Sequence, residues 1–257
     1  MTRDPSLIAA TAAAGAAVAG QIAWVLVPAG ARDTLTVGCV VLFAAASLLH
    51  AWAVRGPAWA GGYAGITLTV GWTAEAIGVA TGWPFGDYAY ASSLGPKLGP
   101  VPAVIPLAWL MMAYPVLLAA RRTCATRLAQ VLYAAALLTA WDLFLDPQMT
   151  GQGHWTWTAP TASIPGIPGI PVQNFVGWFA VGLLLFGLLV RLPDHPHDPD
   201  DRVPAALLLW VFASNVMANA LFWDRPSVAL VGGLAMGALL LPWLRRGIAS
   251  RAFWTQP

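Results

Sequence analysis

The sequence predicts an all-α fold, a polytopic bundle of about eight transmembrane helices with seven as the other possible count, and with both termini in the cytoplasm. Three observations carry this. Of 257 residues, 58% are hydrophobic and only 9% charged, with a mean hydropathy of +0.67, more apolar surface than a water-soluble domain of this length can bury. The apolar residues are grouped in windows of about 18–25 residues, the length that crosses a hydrocarbon core. The thirteen basic residues are shared unequally between alternate loops, the asymmetry that orients membrane proteins.

Taken in order, the windows fall near 7–27, 35–54, 62–81, 103–120, 128–146, 172–190, 204–222 and 227–243. The first follows Arg3 and is rich in Ala and Gly, like a signal peptide, but its apolar part is too long for a typical signal core, so a retained helix is expected. The third carries Glu75, and the fifth carries Asp142 and Asp146, with Pro147 placing Asp146 at the helix exit. Gln173 and Asn174 open the sixth, and Asn215 and Asn219 stand four apart in the seventh. No helical repeat is visible, so one membrane domain over 1–257 suffices, with a motif-rich core at 62–190.

The loops differ in character. Segments 82–102 and 147–171 are dense in aromatics, Gly and Pro and nearly free of charge, and read as ordered caps; the run IPGIPGIP at 164–171 reads as extended, because residues before Pro avoid the helical region. Segment 191–203 reads as a solvated linker, in which His195 and His197 beside Asp194 and Asp198 are a weak metal candidate without a framework to fix ligand geometry, so no metal is expected. With eight spans, one face carries Arg3, Arg55, Arg121, Arg122, Arg127, Arg191, Arg202, Arg245, Arg246 and Arg251, and the other only Arg32, Lys97 and Arg225. The richer face is the cytoplasmic one. No basic run suggests nucleic acid. Cys39 inside a span and Cys124 in a loop form neither a disulfide nor a metal pattern.

A charged side chain near the centre of a membrane helix costs roughly 2.5–3.5 kcal/mol on insertion scales, so intramembrane acids are candidate functional groups. Asp142 and Asp146, four residues apart, share one helix face. Each polar residue also has a purely structural reading. Asn215 and Asn219 join helices by hydrogen bonds; Gln173 and Asn174 cap the sixth helix; Glu75 and Asp142 are neutral, hydrogen-bonded carboxyls; the aromatics form an interfacial belt.

The strings PFGDYAY at 84–90, LGPKLGPVP at 94–102, IPLAW at 105–109, WDLFLDP at 141–147, GHWTW at 153–157 and GIPVQNFVGW at 169–178 resemble the carotenoid biosynthesis membrane proteins of the CruF family, the carotenoid 1,2-hydratase and bisanhydrobacterioruberin hydratase type. The resemblance covers about 70 to 180; beyond it only hydropathy matches, and the IPGIPG stretch stands where an aromatic is expected ahead of the GIPxxNF element. It implies a multi-pass cell-membrane enzyme that adds water, with no cofactor, to the terminal 1,2 double bond of an acyclic carotenoid end, giving a tertiary 1-hydroxy group. Membrane lipid and other enzymes of the same pathway are the further partners it implies.

The residue chemistry points the same way. Protonating such an alkene needs a neutral acid, aromatic faces for the tertiary cation, and one admitted water; burial in an apolar pocket favours the neutral form of a carboxyl, and π faces stabilise cations. Asp142 is the expected proton donor, Asp146 or Asp87 the group that orients and deprotonates water, and Glu75 the alternative donor. Trp72, Phe85, Tyr88, Tyr90, Trp141, Trp155, Trp157, Gln173, Asn174 and Asn219 are expected around the substrate, with Lys97 paired to a carboxylate. Two other functions stay open: a carotenoid carrier or accessory subunit without catalysis, and a membrane prenyltransferase, although the latter needs an Asp-rich metal cluster and phosphate-binding bases that are sparse here.

Overall fold

The computed structural model describes residues 4–158, 162–193 and 200–249. They form eight helices, α1 (Pro5–Trp24), α2 (Ala29–Arg55), α3 (Pro57–Thr81), α4 (Val104–Thr123), α5 (Arg127–Gly151), α6 (Val172–Leu189), α7 (Arg202–Leu221) and α8 (Pro226–Ala249), with four short strands, β1 (Tyr88–Tyr90), β2 (Lys97–Leu98), β3 (Val101–Pro102) and β4 (Trp155–Trp157). Seven of these helices are long and apolar enough to cross a membrane, which makes this a multi-pass membrane protein. The exception is α3, whose 25 residues suffice in length but include several Gly and Thr residues as well as Glu75.

Local signals set the helix starts. Asp4 caps α1 by accepting from the Ser6 amide, with Pro5 in the first turn, and Thr126 caps α5 by accepting from the Ala129 amide; each satisfies an amide that the first turn leaves without a partner. At the centre lies α4, buried along nearly its whole length and touching α2, α3, α5, α6, α7 and α8. A helix that is apolar all round is one that other helices surround.

Three expectations are corrected. The fifth helix does not exit at Asp146 but runs through Pro147 to Gly151, since Pro inside a membrane helix is tolerated where neighbours satisfy the freed backbone groups. Asp146 is therefore buried rather than interfacial. The 164–171 run is not extended: the amide of Ile167 donates to the Ile164 carbonyl across Pro165-Gly166, and Gly166 and Gly169 have φ of 89° and 80°, the positive value that the Pro-Gly pair of a type II turn requires. Finally, 191–203 is not simply a solvated linker. Asp201 is buried and accepts from Arg55 at 2.8 Å and Arg122 at 3.2 Å, tying the start of α7 to the ends of α2 and α4. His195, His197, Asp194 and Asp198 lie outside the described residues.

The two Gly- and Pro-rich segments meet over one end of the bundle. Strands β1 and β4 pair antiparallel, with Tyr88 opposite Trp157 and Tyr90 opposite Trp155, and β2 pairs with β3 as a small hairpin. His154 pins the sheet at its edge, bonded through Nδ1 to Ser93 Oγ (2.8 Å) and through Nε2 to Gln152 Oε1 (3.1 Å). Burial pushes its imidazole below the usual 6.5, so the neutral ring uses one nitrogen as acceptor and the other as donor.

Candidate active site beneath the aromatic lid

On α3, Glu75 lies four residues after Gly71 and three before Gly78, on one helix face. A Cβ at Gly71 would stand 2.9 Å from the Trp109 ring, and one at Gly78 only 2.7 Å from the Tyr88 hydroxyl. The two glycines thus clear the approach of Trp109 and Tyr88, two of the three side chains whose polar atoms reach Glu75. Trp109 Nε1 donates to Oε1 at 3.1 Å, and the Tyr88 and Tyr90 hydroxyls donate to Oε2 at 2.6 and 2.7 Å. Every one of these bonds is donated to Glu75, which is held as an acceptor. Burial, and after it the neighbouring Glu75, push both tyrosine hydroxyls above their ordinary range and keep them as donors.

Across the cavity, α5 and α6 build a carboxyl pair. One Asn174 amide nitrogen donates to Asp142 Oδ2 at 2.8 Å and also to Asp146 Oδ2, so the two carboxyl groups converge on a single donor. Trp155 Nε1 donates to Asp146 Oδ1 at 3.0 Å, whereas Asp142 Oδ1 is buried with no partner. The sheet links the two centres. Alternate residues of a strand face one side, so Tyr88 and Tyr90 reach Glu75 while Trp155 reaches Asp146, and the Tyr90 and Trp155 rings meet edge to face at 5.7 Å.

Apart from Asp142, these groups line one cavity beneath the lid. Glu75, Asp146 and Asn174 supply its acidic and amide groups, Phe85, Tyr88, Tyr90, Trp155 and Trp157 much of its aromatic wall, and no basic side chain lines it. Trp109 and Trp178, stacked 4.3 Å apart at 10°, complete the wall. Neither was singled out in the sequence, although each closes a motif block, IPLAW and GIPVQNFVGW; the signal was there, but nothing local says which aromatic of a block turns inward.

Other expected site residues are placed elsewhere. Asp142 is fully buried and does not line the cavity, standing behind Asp146. Asp87 is exposed, in a separate surface recess with Gln173, and Gln173 donates to the Gly82 carbonyl at 3.2 Å. Neither Gln173 nor Asn174 caps α6, whose N-cap position is Pro171 without a side-chain bond. Lys97 is exposed and donates to the Tyr90 carbonyl at 3.1 Å rather than to a carboxylate. Trp72 donates to the Leu98 carbonyl at 3.1 Å, supporting the β2–β3 hairpin from outside the cavity. Trp141 sits edge-on to Trp178 at 5.9 Å and lines a second cavity. Asn215 and Asn219 do not join helices through their amide nitrogens; these donate to carbonyls four residues back in α7, at 2.8 and 2.9 Å.

Residues 35–240 match the family described as carotenoid biosynthesis protein. The chain is also 36% identical over 151 residues to the bisanhydrobacterioruberin hydratase of Haloarcula japonica, a match covering 53% of this chain and 50% of that protein; it thus spans about half the length of the curated relative it matches. No solved structure matches. A family match that takes in α2 through most of α8, and with them both acid centres and the aromatic lid, shows that the chain belongs to the carotenoid biosynthesis protein family.

Proposed function

We propose that this protein is a hydro-lyase of the cell membrane that adds water to the terminal 1,2 double bond of an acyclic carotenoid end, giving a tertiary alcohol. The observation that carries the reading is one apolar, aromatic-walled cavity with a carboxyl pair on one side and an acceptor-held carboxyl on the other. Two buried carboxylates that converge on one donor are strongly disfavoured as a doubly charged pair, so the Asp142–Asp146 pair holds a proton. Asp146, the member at the cavity wall, delivers that proton to C2 of the alkene, and the electron pair of the double bond forms the new C–H bond. The cation left at C1 faces the indoles of Trp109, Trp155 and Trp178. Water attacks C1, its surplus proton passes to Glu75, and return of that proton to the aspartate pair restores the enzyme. The net change is the addition of H and OH, so no oxidant, reductant or cofactor takes part. The bisanhydrobacterioruberin hydratase bears by its name the same class of reaction.

The product carries the test. In membranes incubated anaerobically in ¹⁸O-water with lycopene, pigment should gain the mass of one water per reacted end with ¹⁸O in the hydroxyl. Product without ¹⁸O, or product that forms only with O₂, refutes hydration.

The same proposal sets both termini in the cytoplasm and the lid outside, on the asymmetry of Arg and Lys. In a background without Cys39 and Cys124, Ser92→Cys in the lid should react with an impermeant thiol reagent on intact cells, and Ala125→Cys between α4 and α5 should not. The opposite pattern inverts the orientation.

A further inference from the structure

The acid cavity is not isolated. A second cavity lies beside it, between α1, α2, α5 and α7, and five residues, Thr36, Val40, Met111, Leu145 and Met149, line both. Leu145 is the neighbour of Asp146 in sequence, and the two methionines are unbranched side chains that adapt readily to an occupant. The second cavity is apolar and rich in indoles. Two pairs of its polar groups are turned on one another: Trp210 Nε1 donates to Gln21 Oε1 at 2.6 Å and Trp24 Nε1 to Thr36 Oγ1 at 3.0 Å. At its outer end stand Ile22 of α1 and Met217 of α7, at 50% and 45% exposure, on helices whose outer faces meet lipid chains.

We infer that this second cavity is the binding site for the polyene body of the substrate and that the molecule enters sideways from the lipid phase between α1 and α7. The inference rests on the hydratase reading of the acid cavity and adds to it where the rest of the molecule lies. An acyclic carotenoid is a stiff conjugated rod about as long as the hydrocarbon core is thick, roughly 30 Å; it cannot coil up beside the acids, and its end group reaches them only if the rod leaves through a passage. The shared residues are the wall between the two cavities next to Asp146, and the passage opens when the unbranched Met111 and Met149 side chains swing aside. A wall that is mostly aliphatic and indole, with few polar groups, suits a hydrocarbon rather than a column of water.

The experiment uses the full chain in lipid nanodiscs and two probes with the same trisubstituted terminal double bond, lycopene and a ten-carbon acyclic hydrocarbon. Ala218, half-buried on α7, lines the second cavity and not the acid cavity. Ala218→Phe should lower the turnover of lycopene about tenfold more than that of the short probe, because binding energy made far from the reacting atoms is lost only by the substrate that makes it. In a background without Cys39 and Cys124, lycopene should also slow maleimide labelling of Ala218→Cys, and the short probe should not. This labelling decides the matter even where the Phe variant folds poorly. Equal effects of Ala218→Phe on both probes, or labelling that lycopene leaves unchanged, overturns the passage. Failure of the wild type to hydrate either probe overturns the hydratase reading instead, and leaves labelling as the separate measure of polyene binding.

Discussion

Asp146→Asn is expected to lower turnover by about 10²–10⁴-fold, the usual loss when a general acid is removed, while folding and pigment binding persist. The asparagine oxygen can still accept from Trp155, which now donates to Asp146 Oδ1 at 3.0 Å; its amide nitrogen then replaces the oxygen that accepts from Asn174 and can donate to Asp142, while Asn174 keeps its bond to Asp142, so the substitution removes the transferable proton at the cost of one hydrogen bond. Asp146→Glu should keep part of the activity. Asp142→Asn should cost less, because Asp142 stands behind the cavity wall and acts through its neighbour. A purely structural role for the pair reverses the order: Asn, with no charge to bury, should then be tolerated better than the longer Glu. Turnover per folded protein, with folding measured by gel filtration in detergent, separates the two. Near-wild-type turnover by Asp146→Asn removes the pair from the mechanism and leaves Glu75 as the donor.

Glu75 should separate charge from structure in the same way. In Glu75→Gln the amide oxygen can still accept from Trp109 Nε1, and the amide nitrogen can donate to the Tyr88 and Tyr90 oxygens once their hydroxyls rotate, so all three current contacts survive in altered polarity. The variant should fold, bind pigment and lose activity by about 10²-fold or more, as expected for loss of the base. Glu75→Leu instead strands buried donors, at about 1–3 kcal/mol for each that finds no other partner. It should lower the thermal midpoint of the purified protein well below that of Glu75→Gln. If the Gln variant turns over normally, the proton from water goes elsewhere. If the Leu variant is as stable as wild type, the three hydrogen bonds do not hold the lid.

Much of this architecture was readable before any coordinates. Hydropathy windows located all eight helices, because the requirement that a spanning segment be apolar and satisfy its own backbone acts within each segment. The spacing of Asp142 and Asp146 placed them on one face, and the cost of intramembrane acids marked them and Glu75 as residues to explain. One local rule was open to fuller use: if Tyr88 and Tyr90 of β1 face the cavity, the alternation of a strand turns neighbouring Asp87 away from it, and Asp87 is indeed exposed.

What the tertiary structure alone decided is which groups meet. Tyr90 and Trp155 are far apart in the chain yet face each other across β1 and β4, and that pairing joins Glu75 to Asp146. The choice of Asn174 as a shared donor, of Trp109 and Trp178 as the stacked wall, and of Asp146 over Asp142 at the cavity surface depends on how each helix is rotated about its axis. Composition and period fix that a segment is a helix and which residues share a face, because those properties are local. The rotation is set by close packing against neighbours distant in sequence, Gly71 against Trp109 and Gly78 against Tyr88, and contacts of that kind exist only once the bundle has closed.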